Sequence, residues 1–202
     1  MSRLLSLLLV AWSLAGCATI SALGDASQTL EVYELQTPRL GSQSGRRTNV
    51  EMVVEKPAAS GALDTDRIMI RPQPLQAQYL PGVRWADPAP DMLQTLLVRS
   101  LSESGSFQSV GRRPLGAAGD LAVLSELTDF QAILLEAGDQ ARVEVRLMVR
   151  LVRERDARVV ASRTFAATAI APSTDPDTIV AAFDSATTDL LTALVPWLVA
   201  RS

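Results

Sequence analysis

ARVEVRLMVRLVR, residues Ala141–Arg153, alternates from end to end. Val143, Val145, Leu147, Val149 and Leu151 share one parity, while Arg142, Glu144, Arg146, Met148 and Arg150 share the other. Successive side chains of a strand point to opposite faces, so the run predicts a strand with one core face and one mostly charged face. That one-sided pattern belongs to an antiparallel sheet with a solvated face. The flanks agree. Arg155-Asp156-Ala157-Arg158 reads as a hairpin turn, and residues 159–169 return as a strand whose small side chains suit packing under a helix. Upstream, Gly138-Asp139 marks a turn over 136–140, and residues 120–130 read as a strand with Leu121, Val123 and Leu127 on one face.

Working outward, residues 30–36 (LEVYELQ) predict a first strand, with Tyr33 and Leu35 on one face and Val32, Glu34 and Gln36 on the other. Residues 37–49 are a loop of Pro, Gly, Ser and Arg. Residues 50–55 predict a second strand stopped by Lys56-Pro57, and 58–62 a turn. Residues 67–71 (RIMIR) predict a third, with Ile68 and Ile70 inward and Pro72 and Pro74 ending it. Asp87 and Pro88 suit the N-cap and first position of a helix whose stripe is Leu93, Leu96, Leu97 and Leu101. Arg99 and Glu103 stand four apart on its outer side, and Gly105 follows its end. A strand over 107–110 comes next, which suggests a parallel pair across the helix. Asp175 and Pro176 open a last helix, striped by Ile179, Phe183, Leu190, Leu191, Leu194 and Leu198, which Pro196 should kink or end. The sum is an α+β domain: a mixed, mainly antiparallel sheet with two helices packed on one face.

The absences narrow the chemistry. The chain has 202 residues, a net charge of -3, no histidine and one cysteine. Without a basic excess, nucleic-acid binding is not indicated. Ser-His-Asp and Cys-His catalysis and the usual zinc sites are excluded by composition. No phosphate-binding glycine loop is present. Catalysis would have to come from carboxylates, Arg, Tyr or the single lysine, Lys56, so binding or assembly is the default reading and no cofactor is expected.

The cysteine, Cys17, follows Leu14-Ala15-Gly16 at the end of an apolar segment with Arg3 before it. This is a lipobox. It predicts removal of residues 1–16, lipidation of Cys17, a small polar tether over 17–29 and a domain over 30–202. The apolar segment is shorter than the roughly 20 residues a spanning helix needs. No later apolar run reads as membrane-spanning. Ala18, not Asp, at the following position predicts the periplasmic face of the outer membrane.

Candidate contact residues lie at Tyr79, Leu80, Arg84 and Trp85, since exposed aromatic, apolar and Arg side chains are favoured at binding surfaces. Equally, Tyr79 and Trp85 could pack over the mouth of the first helix. The acidic run Glu126, Asp129, Glu136 and Asp139 reads as solvated strand ends rather than a metal site. The Arg-rich face of residues 141–158 reads as solvated sheet, with lipid phosphate or an acidic partner as the alternative. Residues 190–197 read as core, with a lipid or partner groove as theirs.

Several of these elements in order resemble one family. Asp66-Arg67-Ile68 leads to Arg71-Pro72, then Tyr79-Leu80, then Arg84-Trp85-Ala86-Asp87-Pro88. Leu96, Leu97 and Leu101 follow, then Phe107-Gln108-Ser109-Val110 and Glu126-Leu127-Thr128-Asp129-Phe130. With the lipobox, the chain resembles the ABC-type transport auxiliary lipoproteins of the paraquat-inducible protein C-like group. The resemblance implies a non-enzymatic periplasmic lipoprotein. It would work with an ABC permease, its ATPase and a mammalian-cell-entry (MCE) domain protein in moving phospholipids or other hydrophobic molecules. MCE assemblies are ring-like, which implies a matching homo-oligomer. A structural outer-membrane assembly lipoprotein is the alternative.

Overall fold

The computed structural model describes residues 30–40, 47–113, 119–135 and 139–202. Cys17 and the signal and tether expectations lie outside them, as do Glu136 and Gly138. The chain divides into two compact units, Met1–Glu31 and Val32–Ser202. In chain order the elements of the second are β1 (Glu31–Tyr33, entering the unit at Val32), β2 (Glu51–Val54), β3 (Ala58–Ala59), β4 (Met69–Gln73), β5 (Gln76–Tyr79), β6 (Val83–Trp85), α1 (Ala89–Glu103), β7 (Ser109–Gly111), β8 (Leu121–Leu134), β9 (Ala141–Arg153), β10 (Arg158–Ala171) and α2 (Pro176–Val199).

β8 is the spine of an eight-stranded mixed sheet ordered β10-β9-β8-β2-β7. One edge of β8 pairs antiparallel with β9, from Leu121↔Arg153 to Leu134↔Ala141, with a bulge between Leu127 and Asp129. Its other edge carries three short strands in succession, all parallel: β2 at Met52↔Leu121, β3 at Ala58↔Glu126 and β4 at Ile70↔Ala132. β2 also pairs parallel with β7, so strands on either side of α1 run parallel as the crossover suggested. The long pairings are antiparallel, which bears out a mainly antiparallel mixed sheet.

The alternation in β9 does what its pattern dictates. Val143, Val145, Leu147, Val149 and Leu151 are all buried, and Arg146 and Arg150 are exposed. α2 lies over β9 and β10, α1 lies against β2 and β7, and the two helices touch each other. Each buried aliphatic side chain is worth about 1.5–3 kcal/mol over an exposed one, so this single face organises the core. Arg142 pairs with Glu144 at 3.0 Å and Arg146 with Asp129 at 2.8 Å on the opposite, uncovered face.

Several boundaries differ from expectation, each for a visible reason. β8 runs to Leu134 rather than Phe130 because β4 and β9 continue to pair with it. Pro72 lies inside β4 rather than ending it. The register with β5 breaks between Ile70 and Gln73, so the missing N–H falls at an irregularity. Residues 58–59, the first two of the expected 58–62 turn, instead form β3, because they meet Glu126 and Leu127 of β8 in parallel register. Pro88, not Asp87, is the N-cap of α1, without a side-chain cap bond, and Pro90 occupies the first turn. Gly105 takes φ 65° just past the helix, the left-handed conformation glycine adopts without steric penalty. Arg99 reaches Glu34 (3.9 Å) across to the N-terminal segment.

α2 passes through Pro196 to Val199 instead of ending there. By length and composition it could cross a membrane, against the expectation that no later run approached that length. Eleven of its residues are buried, Leu190, Leu191, Leu194, Val195, Trp197 and Leu198 among them, so its apolar character is spent on the core. The turn between β9 and β10 closes through Ala157 at φ 52°.

Only Glu31–Tyr33 of the first predicted strand forms a ladder, a two-stranded ribbon with β6. The residues beyond it are held differently. Leu35 is buried, the Tyr33 hydroxyl donates to Asp177 Oδ1 (2.6 Å), and the Gln36 N–H donates to Asp184 Oδ1 (2.8 Å). The Ala86 N–H donates to the Tyr33 carbonyl (2.8 Å). Side chains of α2 thus replace a neighbouring strand as the partner of this segment.

Candidate functional site

The segment singled out in the sequence divides into two pairs of residues. Trp85 is 0% exposed. Its ring lies 5.7 Å from Phe130 and 5.3 Å edge-on from Phe183, which are themselves 4.7 Å apart. Its backbone N–H donates to the Asp66 carbonyl at 2.7 Å. Leu80 is buried too, its N–H donating to the Ile68 carbonyl. Trp85 and Leu80 are therefore core residues, and no partner can reach their side chains without unfolding the segment. Of the two readings, packing inward is the one the structure adopts.

Tyr79 and Arg84 are half-buried. The Tyr79 hydroxyl donates to the Ala62 carbonyl at 3.3 Å, and the Arg67 guanidinium stacks over its ring at 5.0 Å. Arg84 meets Asp66 Oδ2 at 3.4 Å and its own neighbour's carbonyl, Trp85 O, at 3.0 Å. Both side chains already have partners within the domain, which reduces what they can offer elsewhere.

The β4–β5 hairpin, by contrast, presents what sequence patterning missed. Leu75 at its tip is fully exposed, flanked by Gln73, Pro74 and Gln76, themselves exposed. A lone leucine in a polar turn gives no periodicity, so only its position at a hairpin tip marks it. The second unanticipated surface is β10. It is the last strand of the sheet and fourteen residues long, and most of its residues are exposed or half-buried.

Electrostatically the surface is laced rather than poised. Lys56 bridges Asp91 (2.8 Å) and Asp64 (3.2 Å), and the Asp91 hydrogen bond holds its pKa above the usual value. Arg113 joins Glu55 (2.6 Å) to Glu154, and the hydrogen bond to Glu55 raises its pKa. On the uncovered face a chain of polar contacts runs Arg71–Gln131–Asp129–Arg146. Among the described residues no three His, Cys, Asp or Glu side chains converge as metal ligands, and Asp129 of the acidic run is taken by Arg146.

The model of the family described as the ABC-type transport auxiliary lipoprotein component matches residues 33–195. The chain belongs to that family. A Xanthomonas campestris protein, XCC0632, solved as a crystal structure, is 30% identical, with a TM-score of 0.77 over 84% of this chain and 95% of that one. A further crystal structure of an uncharacterized protein, 17% identical over 84% of this chain and 99% of its own, shares the fold at a TM-score of 0.63. Among curated proteins, bll6063 of Bradyrhizobium diazoefficiens is 28% identical over 191 residues, which is 92% of this chain. Those residues are 49% of that relative, so the chain spans about half its length. What the chain shares with that family is the class its description gives, an auxiliary lipoprotein component of ABC-type transport.

Proposed function

We propose that this lipoprotein is a docking component, not an enzyme, of an ABC transporter that works with an MCE-domain protein. It would be held at the periplasmic face of the outer membrane by lipid on Cys17. Phospholipids or other hydrophobic molecules are the cargo class, and the domain acts by receiving the distal part of the transporter, as a homo-oligomer that matches a ring-shaped partner. The observation that carries this reading is the lipobox cysteine in a chain whose family is a transport auxiliary lipoprotein. The domain's form supports it. The core is consumed by packing, charged side chains pair with one another at the surface, and what is left open is a sheet face, a sheet edge and a hairpin tip, all features suited to contact. Tyr79 and Arg84 remain contact candidates at the margin of that hairpin, while Leu80 and Trp85 support it from within.

The test is crosslinking in cells, then detergent purification of the lipidated protein and mass spectrometry of what accompanies it. An MCE-domain protein, with its permease and ATPase or with bound phospholipid, is the expected result. Barrel-assembly or structural envelope proteins without a transporter component would replace this reading with that of an assembly lipoprotein. Cys17→Ser should move the protein from the membrane to the soluble periplasmic fraction; retention through carbonate washing would refute the lipid anchor.

A further inference from the structure

The free edges of this sheet are unequal. β7 and β5 are three and four residues long, which matches the way soluble proteins keep edges short to avoid stray pairing. β10 is fourteen residues long and, among the described residues, pairs only with β9. Its bulge lies at one end, between Val159 and Ala161, so residues 161–171 run in unbroken register and are followed by Pro172. No proline interrupts the strand, and about half of its backbone N–H and C=O groups point away from β9 by the geometry of an antiparallel ladder.

Two further observations describe what would fit there. Between the end of β10 (Thr168, Ala169, Ile170, Pro172) and the exposed side of α2 (Ala181, Ser185) lies an open trough of about 470 Å³. Its lining side chains are mostly small, so it has room for larger apolar ones. Toward the other end of the strand the buried pair Phe165–Trp197, with ring centroids 5.4 Å apart, is covered by two guanidiniums: Arg163 at 4.9 Å over Phe165 and Arg201 at 4.8 Å over Trp197. Neither forms an ion pair among the described residues, and Arg201 spends one N–H on the Trp197 carbonyl. No Asp or Glu occurs between residues 157 and 174. The strand thus has an apolar end and a cationic end on its helix side.

We propose that the free edge of β10 accepts an extended segment of a partner protein as an added strand, apolar where it enters the trough beside α2 and acidic where it meets Arg163 and Arg201. Main-chain hydrogen bonds along residues 161–171 hold it, and alternate side chains select it. This rests on the docking role proposed above and names the surface and the chemistry of the contact.

The probe is an eleven-residue peptide with Thr at alternate positions, Ile or Val at three of the intervening ones and Glu at the remaining two. It is made in both sequence orders, with a Lys-for-Glu counterpart of each. Amide hydrogen exchange is followed by mass spectrometry on the lipidated full chain in detergent. One order of the acidic peptide should slow exchange within residues 161–171 by about tenfold or more at saturation, and the Lys counterpart should not. Doubly substituting Arg163→Glu and Arg201→Glu should reverse the preference. Protection elsewhere, or no preference between the two charges, would overturn the inference. So would self-association through β10, seen as concentration-dependent protection of 161–171 without peptide, which gives the edge to a second copy. Aggregation of the Arg163→Glu chain alone would make Arg163 a guard against pairing and also overturn it. The docking role is tested separately. If the double variant still recovers the MCE-domain protein from cells as the parent does, docking stands and the strand site falls; if the peptide binds but no transporter component is recovered, the reverse holds.

Discussion

Replacing Trp85 by Ala tests whether this residue is core or contact. The side chain is fully enclosed against Phe130 and Phe183. A tryptophan buries about 150–250 Å², which at roughly 25 cal/mol per Å² amounts to about 4–6 kcal/mol. Ala retains a little of this and the neighbours relax, so the expected loss is about 3–5 kcal/mol. In a unit of this size each kcal/mol moves the midpoint by about 2–4 °C, so Trp85→Ala should lower Tm by about 6–20 °C. Trp85→Phe should cost far less, about 1–2 kcal/mol, because it keeps a ring in the cluster and removes an indole N–H that meets no acceptor among the described residues. Urea and thermal unfolding followed by circular dichroism measure both. If Trp85→Ala shifted stability by under about 1 kcal/mol yet abolished recovery of a partner, the packing argument would be refuted and Trp85 would be a surface anchor.

Other substitutions probe single features. Gly119→Ala would place a methyl 2.8 Å from Val53 Cγ2 and 3.0 Å from the Glu51 carbonyl oxygen. The carbonyl belongs to β2 and cannot yield, so a loss of about 1–3 kcal/mol in urea unfolding is expected. Ala157→Gly relieves a left-handed residue at φ 52° and should leave stability unchanged or raise it by up to about 1 kcal/mol, since the relief of about 1–2 kcal/mol exceeds the added chain entropy; a clear loss would refute the turn geometry. Lys56→Met removes the bridge to Asp91 and Asp64. The folded pKa is raised above the unfolded value near 10.5, so the stabilisation is complete below that value and vanishes as pH rises through the folded one. The side chain is more than a third exposed, and the loss at pH 8 should be at most about 0.5 kcal/mol. Parent and variant should converge above that pH range, and a gap that widened there would contradict the ion-pair reading.

Much of the fold is legible where one residue period dominates. β9 declares itself because its two faces meet different solvents, core and water, and side-chain chemistry sorts by parity. α1 and α2 show their stripes for the same reason. Strand extents are harder. Residues 131–134 carry no alternation, because β4 and β9 both continue beside them and set the end of β8 through backbone pairing. β3 is two residues long, below any period. The site residues fail for another reason. Whether Trp85 faces in or out depends on Phe130 and Phe183, 45 and 98 residues away in the chain, and no local pattern contains them. The long free edge of β10 is invisible in the sequence because it is a property of sheet order. Its lack of acidic residues is readable there, but gains meaning only from the strand's place at the sheet's end.

The strap at the start of the domain has a mechanical consequence. A pull on residue 32 acts first on the Ala86–Tyr33 hydrogen bond, the Tyr33–Asp177 and Gln36–Asp184 bonds and the socket of Leu35. The bonds end on Ala86, just past β6, and on Asp177 and Asp184 in the first half of α2, so tension enters the domain largely through a helix braced along its length by the core. The β8–β9–β10 ladder, which would unzip bond by bond if loaded at an end, is bypassed. A domain leashed at this point can be tugged without its main sheet being peeled.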